Sequence, residues 1–490
     1  MLLTIGKTIM KTRLPCFAPL TMRCGIAFFA LSAANVGKAA FVYFDGSTST
    51  DFNTASNWDS DAVPDANSND TASIDDGLSA TFAAGSVTVA GLRVGSADKL
   101  HAAGENHFGR LTMTGGELHV NGVNTLAIGR EKLTSYFPPV QADYTRDTLV
   151  DGADLLLWQR DLGSTSKFDA DGDDSQAVDA GDLAVWEGSY GRQAAGGELV
   201  VTGDATLRSN GALVGERSRG LLSIGPDATV EIRIWDGDQT PVPFGGAEDL
   251  RVGTWGPAYE TFGAEPGLDG NGLVEVFGTL SAKDLYLSEH GAKGALRIVG
   301  GTVNLNGELI MDRCDGCTSD PVLLATQSAT VFVDGSGGAF NIGLDPDPLV
   351  VDPTPPPRSL LAATPTAKFS FKADAGGVTT INVADNVGET SGTANINTAK
   401  LEVDLTGYTS TAPLKLIDAP ANKLVGTFGT VTFIGNRVGE IHYDVANGDV
   451  YLDSFHLGAS SAGPAPEPSA FLLALTATGF FAVKRKPRNS

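Results

Sequence analysis

Apolar and polar residues alternate along most of the chain in short stretches closed by glycine. The clearest pair is "GRLTMTGGELHVNG", Gly109 to Gly122, and "GALRIVGGTVNLNG", Gly294 to Gly307, identical at six of fourteen positions. Leu111, Met113, Leu118 and Val120 in the first copy match Leu296, Ile298, Val303 and Leu305 in the second. A period of two is that of a strand with one buried face, so each copy reads as strand, Gly-Gly turn, strand. Looser copies run through "GGELVVTGDATLRSNGALVGERSRGLLSIGPDATVEI" and "GLVEVFGTLSAKDLYLSEHG". One such unit cannot bury its apolar face alone, so neighbours must stack. The pattern therefore predicts a mainly β fold. A right-handed parallel β-helix or solenoid is the first reading and a β-sandwich of hairpins the alternative, since Gly-Gly between strands also suits a hairpin turn.

The repeats occupy 41–134 and 194–343, interrupted by a different pattern over 135–193. Residues 344–367, "LDPDPLVVDPTPPPRSLLAATPTA", are too rich in proline for a sheet interior and read as a linker. Alternation returns over 368–458 in "KFSFKA", "AKLEVDL", "LKLIDA" and "TVTFIG", a C-terminal β region expected to cover the open end of the stack. At the other end Trp58 is expected to plug the core. Its setting, "NWDSDAVPDANSNDTASID", resembles the opening of exported repeat proteins of planctomycete-like bacteria.

Both termini carry transport signals. Residues 1–40 combine Lys7, Lys11, Arg13 and Arg23 with an apolar run from Gly25 to Val36 and a small-residue site at Ala39 and Ala40, the layout of a secretory signal peptide. Residues 459–468 form a spacer ending in Pro466, Glu467 and Pro468. A short apolar helix, 469–483, and a basic tail, 484–490, follow; about 15 residues span roughly 22 Å against about 30 Å of bilayer core. This order of triplet, apolar helix and basic stop resembles the PEP-CTERM sorting signal of Gram-negative bacteria. The resemblance implies an exosortase-type partner that removes the tail, at least transient membrane insertion, and a destination at the cell surface, outer membrane or outside.

Within 135–193 a tandem duplication stands out. Val150, Asp151, Asp154, Leu155, Trp158 and Gly163 recur 28 residues later as Val178, Asp179, Asp182, Leu183, Trp186 and Gly191. Calcium takes six to eight oxygens, which a twelve-residue loop supplies from positions 1, 3, 5, 7, 9 and 12. The first loop offers Asp143, Thr145, Asp147, the Leu149 carbonyl, Asp151 and Asp154; the second offers Asp171, Asp173, Ser175, the Ala177 carbonyl, Asp179 and Asp182. A register starting the second loop at Asp169, with a two-residue insertion, remains open. The paired units resemble a dockerin domain, which implies calcium and two short helices. Thr148 and Gln176 replace the usual glycine at position 6, a departure from that pattern. The hydroxylic or basic pairs with which dockerins hold cohesins are here Gly152 with Ala153 and Ala180 with Gly181, which does not support a cohesin partner.

Charge narrows the partners further. Five positive charges leave with the signal and four with the tail, deepening the formal −24 to about −33. Such a surface repels nucleic acid. Asp outnumbers Glu 41 to 17, and short carboxylates on loops suit calcium. Cys314 and Cys317 are the two cysteines outside the signal; a lone C-x-x-C in an exported chain reads as a small disulfide loop. The six histidines fall in no hydrolase or zinc motif, and no catalytic residue can be singled out. Glu216 with Arg217 and Arg219, and Asp312 with Arg313, read as solvated surface. The sequence thus points to a non-catalytic exported scaffold presenting a β face to carbohydrate or protein, the alternative being a secreted polysaccharide lyase or glycoside hydrolase.

Overall fold

The computed structural model describes residues 41–96, 108–122, 126–130, 142, 144, 150–165, 170–172, 177–190, 196–216, 218–233, 249–254, 270–313, 328–343, 360–384 and 392–458. All of these residues belong to one compact unit, Ala39–Ser490. The expected signal, sorting triplet, apolar tail and the Cys314–Cys317 loop lie outside them. No helix of the described residues is long and apolar enough to cross a membrane.

The described residues are mainly β, in three sheets of 11, 10 and 11 strands, with two α-helices. The first sheet starts with Phe41–Tyr43, the second with Leu78–Phe82 and the third with Ser86–Val89. From Leu78 onward the chain visits second, third and first sheet in turn. Phe108–Met113 then returns to pair in parallel with Leu78–Phe82, one coil further on. Strands three places apart in sequence are thus neighbours in space, a topology compatible with a β-helix or solenoid-like body.

Alternation explains why the coils stack. In Lys293–Val299 the residues Gly294, Leu296 and Ile298 are buried while Lys293, Ala295, Arg297 and Val299 are partly exposed. Leu111, Met113, Leu118 and Val120 are fully buried in the same core as Leu296, Ile298, Val303 and Leu305. The two Gly-Gly copies hold equivalent places, each at a corner between second and third sheets. Parallel strands cannot be joined by a hairpin, so these glycines turn a corner instead of pairing their flanking strands. Glu117–Val120 pairs with Ser86–Val89 and Thr206–Ser209, the coils below and above.

The region 344–367, expected as a linker, contributes Leu360–Ala362 to the first sheet, and strands beyond it extend all three sheets. Residues 368–458 therefore continue the stack. Its C-terminal end is finished by the hairpin Arg437–Asp444 and Asp449–Leu457, which adds antiparallel to Leu414–Asp418 in the third sheet. At the N-terminal end Trp58 is buried edge-on to Phe44 and Phe52, and its indole N–H donates to the Phe52 carbonyl at 2.8 Å. Asn57 beside it is fully buried, accepting from the Ser49 N–H at 2.8 Å and donating to the Asp51 carbonyl at 2.7 Å. The pair closes the core with an aromatic plug and a satisfied amide.

Candidate functional site

The duplicated acidic stretch forms two matched helices, α1 (Gly152–Asp161) and α2 (Ala180–Ser189), with their own small core of Ala142, Tyr144, Val150, Trp158, Ala170 and Val178. Each helix opens on a capping box. The Asp151 carboxylate accepts from the Ala153 N–H at 2.7 Å, and Asp154 accepts from the Asp151 N–H at 2.7 Å. Asp179 and Asp182 repeat this with Gly181 and Asp179, both at 2.6 Å. A short carboxylate at the N-cap satisfies donors that the first helical turn leaves open, and its charge complements the helix dipole.

The two halves hold each other through their tryptophans. The Trp158 indole donates to the Asp179 carbonyl at 2.7 Å, and the Trp186 indole donates to the Asp151 carbonyl at 2.8 Å. Between the units Gly163 donates to the Val178 carbonyl and Val178 to the Ser164 carbonyl, each at 2.8 Å. One duplicated sequence has thus folded into two reciprocal halves.

Of the twelve residues expected as calcium ligands, Asp151, Asp154, Asp171, Ala177, Asp179 and Asp182 lie among the described residues. Asp143, Thr145, Asp147, Leu149, Asp173 and Ser175 lie outside them. The described donors are carboxylates and one carbonyl, all hard oxygens. Asp154 and Asp182 are completely buried at the loop ends of their helices. The second Asp182 oxygen accepts from the Gly172 N–H at 2.6 Å, which draws the start of the second loop onto its end. A carboxylate buried to this extent needs strong compensation. This donor set and closure fit calcium.

The stack surface carries a second constellation. Asp249, Asp284 and Glu308 open three successive strands of the first sheet, in register. Arg251, on the first of them, pairs with Asp249 at 3.1 Å and reaches Glu289 at 3.2 Å on the next coil. Its guanidinium lies 5.1 Å from the Tyr286 ring centroid. Burial pushes the Asp284 carboxyl up to about 6, reinforced by the Asp249 and Glu308 charges and opposed by the Glu308 N–H, which donates to it at 2.7 Å, and by Lys283.

Glu216, read from sequence as part of a charged patch, is buried and pairs with Arg130 on the preceding coil at 2.9 Å. Asp312 is likewise buried, accepting from the hydroxyls of Thr366 at 2.6 Å and Thr364 at 2.8 Å, and burial raises its pKa. Neither is the solvated surface that the sequence suggested. Cross-coil pairing is general on the outward faces. Arg110 pairs with Glu198, Arg208 with Glu117 and Glu231, Arg297 with Glu275, and Lys368 with Glu402. Asn341 donates to Asn304 at 2.9 Å and accepts from Asn382 at 3.1 Å, an amide ladder on the third sheet.

Comparison of the chain with protein-family models, with curated proteins and with solved structures finds no match.

Proposed function

We propose that the chain is an exported, non-catalytic scaffold of the cell surface or extracellular matrix. Its β stack presents a long face to carbohydrate or protein. The observation carrying this reading is the cross-coil pairing of outward charges on all three sheets, with charged side chains engaged in holding neighbouring coils together. In finer detail we take the body as a right-handed parallel β-helix, the hand that crossovers between parallel strands almost always adopt. The inserted unit is then a dockerin-like calcium module, serving as a staple or docking point. The tail acts as a PEP-CTERM signal read by an exosortase-type enzyme.

A second reading, a secreted polysaccharide lyase or glycoside hydrolase, is favoured by Asp249, Asp284 and Glu308 beside Arg251, because a carboxyl raised to about 6 suits a general acid. Incubating the mature chain, residues 41–465, with a polysaccharide panel in the presence and absence of calcium separates the two. The scaffold predicts retention on a polymer without new reducing ends or unsaturated products; product release dependent on Asp284 establishes the enzyme.

The calcium assignment has its own test. A metal bound to the native state alone stabilises by mass action, so calcium is expected to raise the module's melting temperature, followed by Trp158 and Trp186 fluorescence, and chelator to lower it. Asp182→Ala should remove the response of the second loop. A melting curve unmoved by either addition would refute calcium binding.

A further inference from the structure

We propose that the terminal hairpin carries a separate site for a divalent transition ion of the zinc class, built from Glu440, His442 and Asp453. One ligand atom from each lies within 4.8 Å of the others. Antiparallel register places Glu440 directly across from Asp453 and His442 across from Tyr451. Glu440 and His442, two apart on one strand, share a face, so all three side chains leave the same side of the hairpin. The Tyr451 ring stacks on the imidazole at 5.0 Å and 14°, fixing the plane of the ring. The Ser454 hydroxyl donates to the Asp453 carboxylate at 2.8 Å.

An ion would replace a contact already present, the hydrogen bond between His442 Nε2 and Asp453 Oδ1. His442 Nε2 lies 2.8 Å from Asp453 Oδ1 and 3.9 Å from Glu440 Oε2, so a single ring nitrogen faces both carboxylates. Zinc binds imidazole nitrogen and carboxylate oxygen at about 2.0–2.2 Å, which in a tetrahedron sets ligand atoms roughly 3.4 Å apart. Binding would open the first separation and close the second to reach that value. An imidazole with two carboxylates suits zinc better than calcium, which takes oxygen alone. Three protein ligands leave a fourth position for water or a partner's donor. The chemistry differs from the all-oxygen loops of the inserted module, and the two sites are more than 250 residues apart in sequence. Bound there, the ion would tie the two strands that finish the third sheet.

The test is zinc binding by the mature chain with Cys314 and Cys317 replaced by serine, which removes the competing thiols. Isothermal titration with zinc chloride is compared among this parent, His442→Gln and Glu440→Gln. Glu440 is the most exposed of the three, so its substitution leaves the hairpin packing in place. Loss of one zinc equivalent in His442→Gln, and at least a tenfold weakening in Glu440→Gln, is expected, with calcium titrations unchanged in both. Cobalt(II) bound to the parent should show a visible d–d spectrum that His442→Gln abolishes. Equal zinc stoichiometry and affinity in parent and both variants would overturn the site, as would calcium binding that falls with His442.

Discussion

Gly253→Ala is expected to be among the most destabilising single-methyl substitutions in the stack, at more than about 4 kcal/mol. Two separate effects add at this position. Its φ of +71° is left-handed, where a Cβ alone costs about 1–2 kcal/mol. That Cβ would also fall 1.9 Å from the Lys293 carbonyl oxygen of the next coil. The contact is with backbone, which can retreat only by separating the coils. Gly300→Ala supplies the control, since its φ is +69° and no atom lies within 4 Å of the added carbon; about 1–2 kcal/mol is expected there. The difference between the two denaturant midpoints measures the closeness of coil packing. Ser288 and Asp312 share the left-handed backbone, with φ of 65° and 61°, and carry side chains. Equal effects at Gly253 and Gly300 would therefore show that backbone strain alone matters.

Asp284→Asn is expected to stabilise the protein at neutral pH. The native carboxyl is pushed up to about 6 from an ordinary 3.8, so the folded chain holds its proton more tightly than the unfolded chain. The stability this contributes is fully present below about pH 4 and is lost as pH rises through 6. By pH 7 the difference approaches ~3 kcal/mol, which a neutral amide escapes while keeping an oxygen for the Glu308 N–H. Parent and variant should match near pH 4 and diverge steadily to about pH 7. Parallel stability profiles across that range would mean Asp284 titrates normally. The same variant bears on the enzyme reading, where it should abolish product release.

Much of the body was legible because its information is local and periodic. The match of Leu111 and Met113 with Leu296 and Ile298 placed these residues correctly on a buried face. Choosing between coil and hairpin was harder, because Gly-Gly serves both a corner and a tight turn and the decision rests on partners in other coils. Residues 344–367 misled for a similar reason: proline depresses strand propensity, yet three residues, Leu360–Ala362, suffice to add one strand to a parallel sheet.

The duplication around Asp154 and Asp182 was visible from spacing, and so was their place at the loop ends. Their part in the capping boxes was missed, although D-x-x-D before a helix carries the signal. The Asp249, Asp284 and Glu308 register was beyond reach. Only the lengths of the intervening loops bring these residues to one edge, and no periodicity encodes that. Glu440, His442 and Asp453 meet in the regular antiparallel register that runs back from the turn at Asp444 and Asp449, a pairing that alternation within one strand cannot reveal.

Disulfide trapping tests the stacked coil most directly. Glu275 and Arg297 are in-register neighbours on adjacent parallel strands, whereas a hairpin about Gly300 and Gly301 would set Arg297 opposite Asn304. With Cys314 and Cys317 replaced by serine, mild oxidation of folded Glu275→Cys/Arg297→Cys should give a near-complete crosslink, since partners in adjacent strands fall within disulfide reach. Arg297→Cys/Asn304→Cys should stay reduced. A crosslink in the second pair and none in the first would contradict the stack.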